Sequence, residues 1–339
     1  MAPGAPSIEA LRLLNGYRIF QIVAAACELK LPDLLAAGPK DADELASATQ
    51  TDRASLYRLL RGLAVWGIVK ADADGKFAST ALSEHFRSDI PGLRNMTLML
   101  SEDGYHAWGD LLYTLRTGKP AHVKRFGRSH FEFLGDDPEA SARFNAAMVE
   151  GTTLAARGLI ADYDFSGVRT VVDVGGGNGA LLTSVLRAYP DTNGVLFDLA
   201  QGLDGARQQL ASDGLAERVA LVEGSFFESV PAGGDLYLLK SIVHDWDDEH
   251  SLVILQTCRR AIGPQARLVL LERVMPDKIQ DSVPFLQGVM GDLQMMVVLG
   301  GRERTSLEFS DLLERAGFQM TRVIPTAAGF SAVEAVPIA

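Results

Sequence analysis

Apolar residues recur at helical spacing through the first part of the chain. Across residues 8–35 they fall three or four positions apart, which predicts an amphipathic helix suited to packing or pairing. A second amphipathic helix is predicted after Asp52, a residue type that caps helix N-termini, and Gly67 marks its end. Its apolar stripe consists of four leucines: Leu56, Leu59, Leu60 and Leu63.

A short hairpin is predicted directly after this second helix. Residues 68–70 and 76–78 are apolar or β-prone, and the turn sequence DADG separates them. The order helix, helix, hairpin predicts a winged-helix unit, which we interpret as a mainly α-helical dimerisation domain over residues 1–92. Residues 93–160 are predicted to be helical and are rich in aromatics, and we expect them to link two domains and to line a cavity.

The pattern changes after about residue 160. Short β-branched runs now alternate with helical stretches, which predicts an α/β domain over residues 161–339 with a doubly wound, mostly parallel sheet. The predicted strands are 170–174, 194–198, 219–223, 236–240, 267–273 and a closing strand at 330–336.

Composition narrows the class of protein. The 339 residues are 47% hydrophobic and 22% charged, and no apolar run approaches the ~20 residues that span a bilayer. The N-terminus lacks the basic and apolar stretches of a secretory signal, so we expect a cytoplasmic protein with no membrane partner. The two cysteines, Cys27 and Cys258, are expected to be reduced core thiols.

Charge bears on the partners of the winged-helix unit. Such units often bind DNA, but the formal charge of this chain is −11, and an acidic surface repels a phosphate backbone. The second helix carries only three basic residues: Arg53, Arg58 and Arg61. We therefore expect no nucleic-acid partner, and a small molecule fits better.

A glycine-rich loop follows the first predicted strand of the α/β domain. The run VDVGGGNG over residues 172–179 places Gly175 and Gly177 where a backbone without Cβ atoms can approach a ligand closely. Asp198 ends the next strand, the position from which an acid binds the ribose of an adenosine cofactor. The loop also satisfies the dinucleotide fingerprint, so a nicotinamide enzyme and a ligand-free turn stay open at this point.

A second motif joins the end of a strand to the start of a helix. The run HDWDDE over residues 244–249 offers His244 as a general base. The acids that follow, Asp245, Asp247, Asp248 and Glu249, are interpreted as helix-capping and structural residues, because carboxylates favour a helix N-terminus.

Five ordered motifs together resemble a known family. Besides the two runs above, FD at 197–198, LERVMP at 271–276 and GGRERT at 300–305 are similar to those of the S-adenosylmethionine-dependent O-methyltransferases of the caffeate and hydroxyindole type. The winged-helix segment and FNAAM at 144–148 resemble the N-terminal half of that family. The resemblance implies a Rossmann-like domain that binds S-adenosylmethionine and releases S-adenosylhomocysteine.

The resemblance also assigns roles to residues. It places His244 as the catalytic base between Glu272 and Glu303. A structural alternative for Glu303 is a surface ion pair with Arg302 or Arg304. One departure is GSFF at 224–227, where the family has an aspartate at the position of Ser225. The implied cofactor-binding residues are Asp173, Gly175, Gly177, Asp198, Ser225, Phe226 and Lys240.

Acceptor contacts are expected from two regions. Met295 and Met296 lie in an apolar helical segment that starts at Asp292, and their thioethers suit the faces of a flat ring. Ordinary core packing is an equal alternative for both. Trp108 and Met148 join the acceptor set by resemblance alone.

These observations predict O-methylation of a small aromatic hydroxyl acceptor, phenol- or polyketide-like, in secondary metabolism. No metal is expected, because a sulfonium methyl group is already electrophilic and no metal-ligand spacing appears. The resemblance further implies a homodimer through the N-terminal domain. The alternatives are N- or C-methylation on the same scaffold, a nicotinamide-dependent oxidoreductase, and a winged-helix regulator that senses a metabolite.

Overall fold

The computed structural model describes residues 6–90, 92–203, 205–326 and 329–338. It divides into two compact units, the first comprising Met1–His106 with Ala142–Glu150 and the second Ala107–Ser141 with Gly151–Ala339. Residues 93–160, predicted as one linking segment, are thus shared between the units, and their contribution to a cavity stays a prediction. None of the helices in the described ranges is both long and apolar enough to cross a membrane.

Three helices open the first unit where a single helix was predicted across 8–35. They are α1 (Pro6–Leu14), α2 (Gly16–Glu28) and α3 (Leu31–Ala36). The prediction of one helix is wrong. The first break falls at Asn15, and at the second Lys30 adopts a left-handed conformation with φ of 51°, which a right-handed helix cannot continue through.

The predicted second helix and hairpin are present. Asp52 caps α5 by accepting a hydrogen bond from the Ser55 amide at 2.8 Å. Strands β1 and β2 pair antiparallel, with Val69 opposite Ser79. The elements of this part are α4 (Ala42–Thr49), α5 (Arg53–Val65), β1 (Val69–Ala71), β2 (Phe77–Ser79) and α6 (Ala81–Glu84).

The middle of the chain is helical, as predicted. A π-helical turn at Leu100–Gly104 separates the first two of its helices. The helices are α7 (Arg94–Met99), α8 (Tyr105–Trp108), α9 (Leu111–Thr117), α10 (Ala121–Phe126), α11 (His130–Asp136) and α12 (Pro138–Asp162).

A seven-stranded sheet organises the second unit. Its strand order is β10-β11-β7-β6-β3-β4-β5, in which β3 to β7 are parallel and β10 and β11 are antiparallel. The strands are β3 (Thr170–Val174), β4 (Asn193–Asp198), β5 (Val219–Glu223), β6 (Leu236–Lys240), β7 (Arg267–Glu272), β10 (Phe318–Pro325) and β11 (Ser331–Pro337).

Helices cover both faces of this sheet. Alternate residues of one strand enter different cores: Val171 belongs to one buried cluster and Val172 to the other. Two apolar faces explain why the strands read as nearly continuous hydrophobic runs, and they confirm the doubly wound α/β prediction. The remaining helices are α13 (Ala180–Ala188), α14 (Ala206–Ser212), α15 (Asp248–Ala261), α16 (Val283–Gln294) and α17 (Ser306–Arg315).

Strand β10 was not predicted. It forms a hairpin with the expected closing strand, with Val323 opposite Val333 and a register shift after Met320. Its exposure alternates irregularly along the strand, so it lacks the uniform apolar run that identified the parallel strands.

The sheet contains a topological switch point. Strands β3 and β6 are neighbours, and the chain continues from β3 toward β4 on one side but from β6 toward β7 on the other. A crevice opens at the carboxyl ends of such a strand pair, and ligands of this fold class bind there. Both chemistry-bearing motifs follow these two strands.

Candidate active site

Three connections meet at the carboxyl edge beside the switch point. His244 lies in a 3₁₀ turn, Val243–Asp245, just after β6, and Glu272 is the last residue of the adjacent strand β7. A small parallel pair of strands, β8 (Val274–Met275) and β9 (Arg304–Thr305), places the loop that carries Glu303 beside the end of β7. The fold thereby brings together three residues that are remote in sequence.

The imidazole of His244 is enclosed by carboxylates. Its Nδ1 lies 3.1 Å from Oε1 of Glu303 and 3.6 Å from Oε2 of Glu272. Its Nε2 lies 3.3 Å from Oδ1 of Asp245. His244, Glu272 and Glu303 are all buried. A carboxylate on Nδ1 fixes the tautomer that leaves Nε2 to accept a proton.

Backbone and side-chain contacts hold both glutamates in place. Oε1 of Glu272 accepts hydrogen bonds from the amides of Ile242 and Val243 at 3.0 and 2.9 Å. The amide of Glu303 donates to Oδ1 of Asp292 at 2.9 Å. Oε2 of each glutamate is buried without a hydrogen-bond partner among the described residues.

Burial and mutual charge shift the pKa values of this cluster. Burial alone would lower the pKa of His244, but Glu272, Asp245 and Glu303 outweigh it and raise that pKa to about 9. Burial raises the pKa of Asp245 to about 7, and it raises the pKa of Glu272 as well. The imidazole of His244 is therefore cationic near neutral pH and loses its proton as the pH rises through about 9.

Asp245 was interpreted as a capping and structural residue, and the capping part of that interpretation is wrong. The cap of α15 is Asp247, whose side chain accepts from the His250 amide at 2.9 Å. Asp245 lies two residues earlier, in the 3₁₀ turn, against the imidazole of His244. The alternative of a surface ion pair for Glu303 is also wrong, because its side chain is buried against His244.

Arg304 is a structural residue of the site that sequence reasoning missed. Its guanidinium is buried and donates to the carbonyl oxygens of Val243 and Trp246 at 2.9 and 3.0 Å. It also donates to Oδ1 of Asp248 at 2.7 Å and to the hydroxyl of Ser251 at 3.2 Å. The 3₁₀ turn and the start of α15 are thereby tied to one side chain. Its position directly after Glu303 was the only available signal.

Gly301 explains why glycines precede Glu303. A Cβ atom there would lie 2.0 Å from the carbonyl oxygen of His244 and 2.4 Å from the carbonyl carbon of Asp245. The amide of Arg302 donates to the same His244 carbonyl at 2.9 Å. Only glycine permits this close approach of the two loops.

The glycine loop after β3 is shaped for a ligand. Gly175 and Gly177 have φ of 71° and 56°, and the position of a Gly177 Cβ is open space. At Gly175, by contrast, a Cβ would lie 2.5 Å from Ile242. The Gly177 amide donates to Oδ2 of Asp198 at 2.8 Å, which places the predicted ribose acid beside the loop.

Two further predicted cofactor residues lie at the same edge. Asp173 is buried, its Oδ2 has no hydrogen-bond partner among the described residues, and burial together with Asp198 raises its pKa to about 7. Burial lowers the pKa of Lys240, at the end of β6, against the opposing effect of Glu272. A buried unpaired oxygen beside an open loop fits a site for a polar ligand such as S-adenosylmethionine.

Ser225 and Phe226 follow β5, which β3 and β4 separate from β6, the strand before the site histidine. The Ser225 hydroxyl accepts from the Phe227 amide at 3.3 Å, so it stabilises its own turn. Phe226 lies near the glycine loop: a Gly175 Cβ would be 3.6 Å from its ring. The ring also packs edge-on against Trp246, with 6.3 Å between the ring centroids. Two aromatic side chains therefore lie beside the predicted cofactor position.

The predicted acceptor residues fall into two groups. Trp108, Asp292, Met295 and Met296 lie in the second unit, with Trp108 and Met296 packed against one small apolar cluster. Helix α16 ends at Gln294, and Met295–Leu299 forms a π-helical turn next to the turn that carries His244. Met148 belongs to the first unit, and its role stays a prediction.

The residues around His244 are also candidate metal ligands. His244, Glu272 and Glu303 each offer a ligand atom, and these atoms lie within 4.8 Å of one another. Histidine and carboxylate are ligands that zinc accepts. The expectation of no metal therefore stays a prediction.

Two family models match this chain and identify the class of enzyme. An O-methyltransferase domain model matches residues 108–319, and an O-methyltransferase dimerisation domain model matches residues 11–89. The chain belongs to the O-methyltransferase family. It is accordingly an S-adenosylmethionine-dependent O-methyltransferase, and the resemblance inferred from its motifs is confirmed.

Named relatives of this methyltransferase come from bacterial secondary metabolism. It is 40% identical to a phenazine O-methyltransferase of Lysobacter antibioticus, over 97% of this chain and 95% of the relative. It is 39% identical to the O-demethylpuromycin O-methyltransferase of Streptomyces alboniger, over 97% and 88%. A phenazine-1-carboxylate N-methyltransferase of Pseudomonas aeruginosa is 35% identical, over 94% of each chain.

Solved structures of similar chains share the fold of this methyltransferase. The crystal structure of LaPhzM matches with a TM-score of 0.94 and 39% identity, over 99% of this chain and 100% of that one. An O-methyltransferase of neocarzinostatin biosynthesis matches with a TM-score of 0.85 and 33% identity, over 100% of both chains. That structure is a complex with S-adenosylmethionine and 2-hydroxy-5-methyl naphthoic acid.

Replacing Arg304 tests its structural role. Arg304→Ala is expected to lower the free energy of unfolding by about 2–4 kcal/mol, because two carbonyl oxygens and Asp248 lose a buried donor. Urea denaturation measures the loss. Arg302→Ala is the matched control, since that side chain is 46% exposed and should contribute less than about 1 kcal/mol. Equal losses in the two variants would contradict the role.

Proposed function

We propose that this enzyme methylates a ring hydroxyl of a small aromatic acceptor, with His244 as the general base. The observation that carries the proposal is the contact of His244 Nδ1 with Glu303 Oε1 at 3.1 Å, beside a glycine loop with open space at Gly177. The named relatives support the acceptor class, because several act on aromatic hydroxyl compounds: phenazine, hydroxybenzoate and dihydroxynaphthoate derivatives.

The residues at the switch point fit the methyl donor. Asp198 would accept hydrogen bonds from the ribose hydroxyls, the Gly175–Gly177 backbone would allow close approach of the donor, and Phe226 would pack beside its adenine. Lys240 and Asp173 supply polar contacts at the strand ends, while Ser225 offers a hydroxyl where the family resemblance predicts a carboxylate. When bound, S-adenosylmethionine supplies a methyl group made electrophilic by its sulfonium.

His244 prepares the acceptor for attack. Its neutral Nε2 takes the proton of the acceptor hydroxyl, and the resulting oxyanion is the nucleophile. Glu303 and Glu272 keep Nδ1 facing them and stabilise the imidazolium that forms. This scheme requires no metal, because deprotonation and alignment are supplied by side chains.

Methylation of nitrogen is the second candidate. Two relatives are named N-methyltransferases, acting on phenazine-1-carboxylate and on 8-amino-8-demethylriboflavin. A neutral amine already has a free lone pair, whereas a hydroxyl gains from a base such as His244. The position of the methyl group in the product, read by NMR, separates the two.

Cofactor binding can be measured without an acceptor. Calorimetric titration is expected to show saturable binding of S-adenosylhomocysteine and none of NAD. Asp198→Asn should weaken that binding about 10- to 100-fold, because hydrogen bonds to a charged acceptor are lost. The control is Asp191→Asn, an exposed aspartate that should leave the affinity unchanged. Binding of NAD alone would remove the basis for a methyl donor.

The pH dependence of turnover tests the base. Since the pKa of His244 is raised to about 9, its neutral form is scarce at pH 7, and kcat/KM should rise with pH through about 9 and level off above it. Glu303→Gln removes one of the charges that raise this pKa, so the rise should shift to lower pH. His244→Asn should lower kcat/KM about 10²- to 10⁴-fold at the high-pH plateau, where the wild-type imidazole is neutral, and should remove the rise with pH.

The control for this series is Glu314→Gln, an exposed change on α17 that should leave the profile in place. All assays contain excess EDTA, and loss of activity there would contradict the metal-free part of the proposal. A profile that Glu303→Gln does not move would argue against coupling between the two residues.

We also infer a homodimer through the N-terminal domain, which matches a dimerisation domain model. Leu11, Leu13 and Leu14 are more than half exposed on α1, as expected of a helix that pairs with a second copy.

Light scattering is expected to give twice the chain mass of 36.5 kDa. Leu13→Glu should shift the mass toward the monomer, and Leu307→Glu, an exposed leucine of the other unit, should not. A monomer mass for the unmodified protein would refute the dimer.

A further inference from the structure

Gln294 is a polar residue at the end of α16 to which neither the motifs nor the catalytic scheme assign a role. Its Oε1 accepts a hydrogen bond from the indole Nε1 of Trp108 at 2.6 Å. An indole N–H only donates, so the atom that faces it must be the amide oxygen rather than the amide nitrogen. The contact therefore fixes the orientation of the amide, and its NH₂ group points away from Trp108.

The face of α16 that carries Gln294 is turned toward Glu303 and the other carboxylates around His244. Gly291 lies one turn earlier on α16, and a Cβ atom there would be 3.4 Å from Oε1 of Glu303. Residues three apart share a helix face, so Gln294 continues the face that begins at Gly291. The adjoining Asp292 binds the Glu303 amide at 2.9 Å, which ties this part of α16 to the same loop.

The backbone after Gln294 points to the same place. The π-helical turn Met295–Leu299 begins at the next residue and lies beside the turn that carries His244. Such turns occur often at functional sites, because they shift side chains out of helical register. Gln294 is partly exposed, and its NH₂ group has no partner among the described residues.

We propose that Gln294 selects acceptors that carry a carboxylate or carbonyl oxygen next to the reacting hydroxyl. Its amide nitrogen donates to that oxygen, and Trp108 holds the amide in the orientation that makes the donation possible. Gln294 is thus a specificity residue, and Trp108 a positioning residue that acts through it. The inference rests on the proposed function, since it concerns the acceptor of the same site.

The test compares paired compounds bound to enzyme that is saturated with S-adenosylhomocysteine. The pairs are 2-hydroxybenzoate with phenol and 1-hydroxy-2-naphthoate with 1-naphthol, titrated calorimetrically. Wild type is expected to prefer the carboxylate member of at least one pair. Gln294→Met should reduce that preference about 10- to 100-fold, because a hydrogen bond to a charged group is lost, and should leave the apolar member unaffected.

Two more variants separate donation from packing. Gln294→Glu keeps an oxygen for the Trp108 contact but replaces the donor with a second oxygen, so binding of the carboxylate members should fall further than in Gln294→Met. Trp108→Phe frees the amide and should reduce the preference by a smaller factor. The control is Gln208→Glu, the same change at an exposed position of α14, which should leave the preference intact.

Each outcome bears on one hypothesis. An absent preference in wild type, no binding of any pair, or equal losses for both members of a pair would overturn the role of Gln294. Methyl transfer to the same compounds is followed in parallel. Absence of transfer with retained discrimination would count against the proposed function alone, and turnover with unchanged discrimination in Gln294→Met would count against this inference alone.

Discussion

The structure depends on holding one histidine and three carboxylates together in a site that is largely buried from solvent. Asp245, Glu272 and Glu303 each lie within hydrogen-bond or ion-pair distance of His244, and two carboxylate oxygens have no partner among the described residues. Buried charges of this kind are costly unless backbone donors and counter-charges surround them. That cost explains why the neighbouring loops are fixed so firmly.

Contacts at the ends of the strands hold these loops in place. The amides of Ile242 and Val243 point at Glu272, and Ser241, just before them, adopts a left-handed conformation with φ of 54°. A non-glycine residue in that region costs on the order of 1–3 kcal/mol and persists only where the surroundings impose it. Here the turn that aims two amides at a buried acid imposes it, while Arg304 holds the far side of the same turn.

Helix α16 connects this acid cluster with the predicted acceptor side. Gly291 leaves room for the Glu303 carboxylate, Asp292 binds the Glu303 amide, and Gln294 contacts Trp108. One helix thus presents small, acidic and amide groups within four residues. The methionines that follow are displaced into a π-helical turn, so their directions do not follow from helical spacing.

The sequence by itself determined the parallel strands, the glycine loop, the capped helix after Asp52 and the family. These features are local, because a buried strand, a cap and a tight turn each require particular residue types at fixed spacing. It failed at Lys30, a non-glycine residue in the left-handed region, and at β10, whose irregular exposure gives no apolar run. Only the tertiary structure placed Asp245 against His244, buried Arg304, and joined Trp108 to Gln294. Those contacts link residues 1, 53–61 and 186 positions apart, and their geometry follows from strand order and loop packing, which no local pattern encodes.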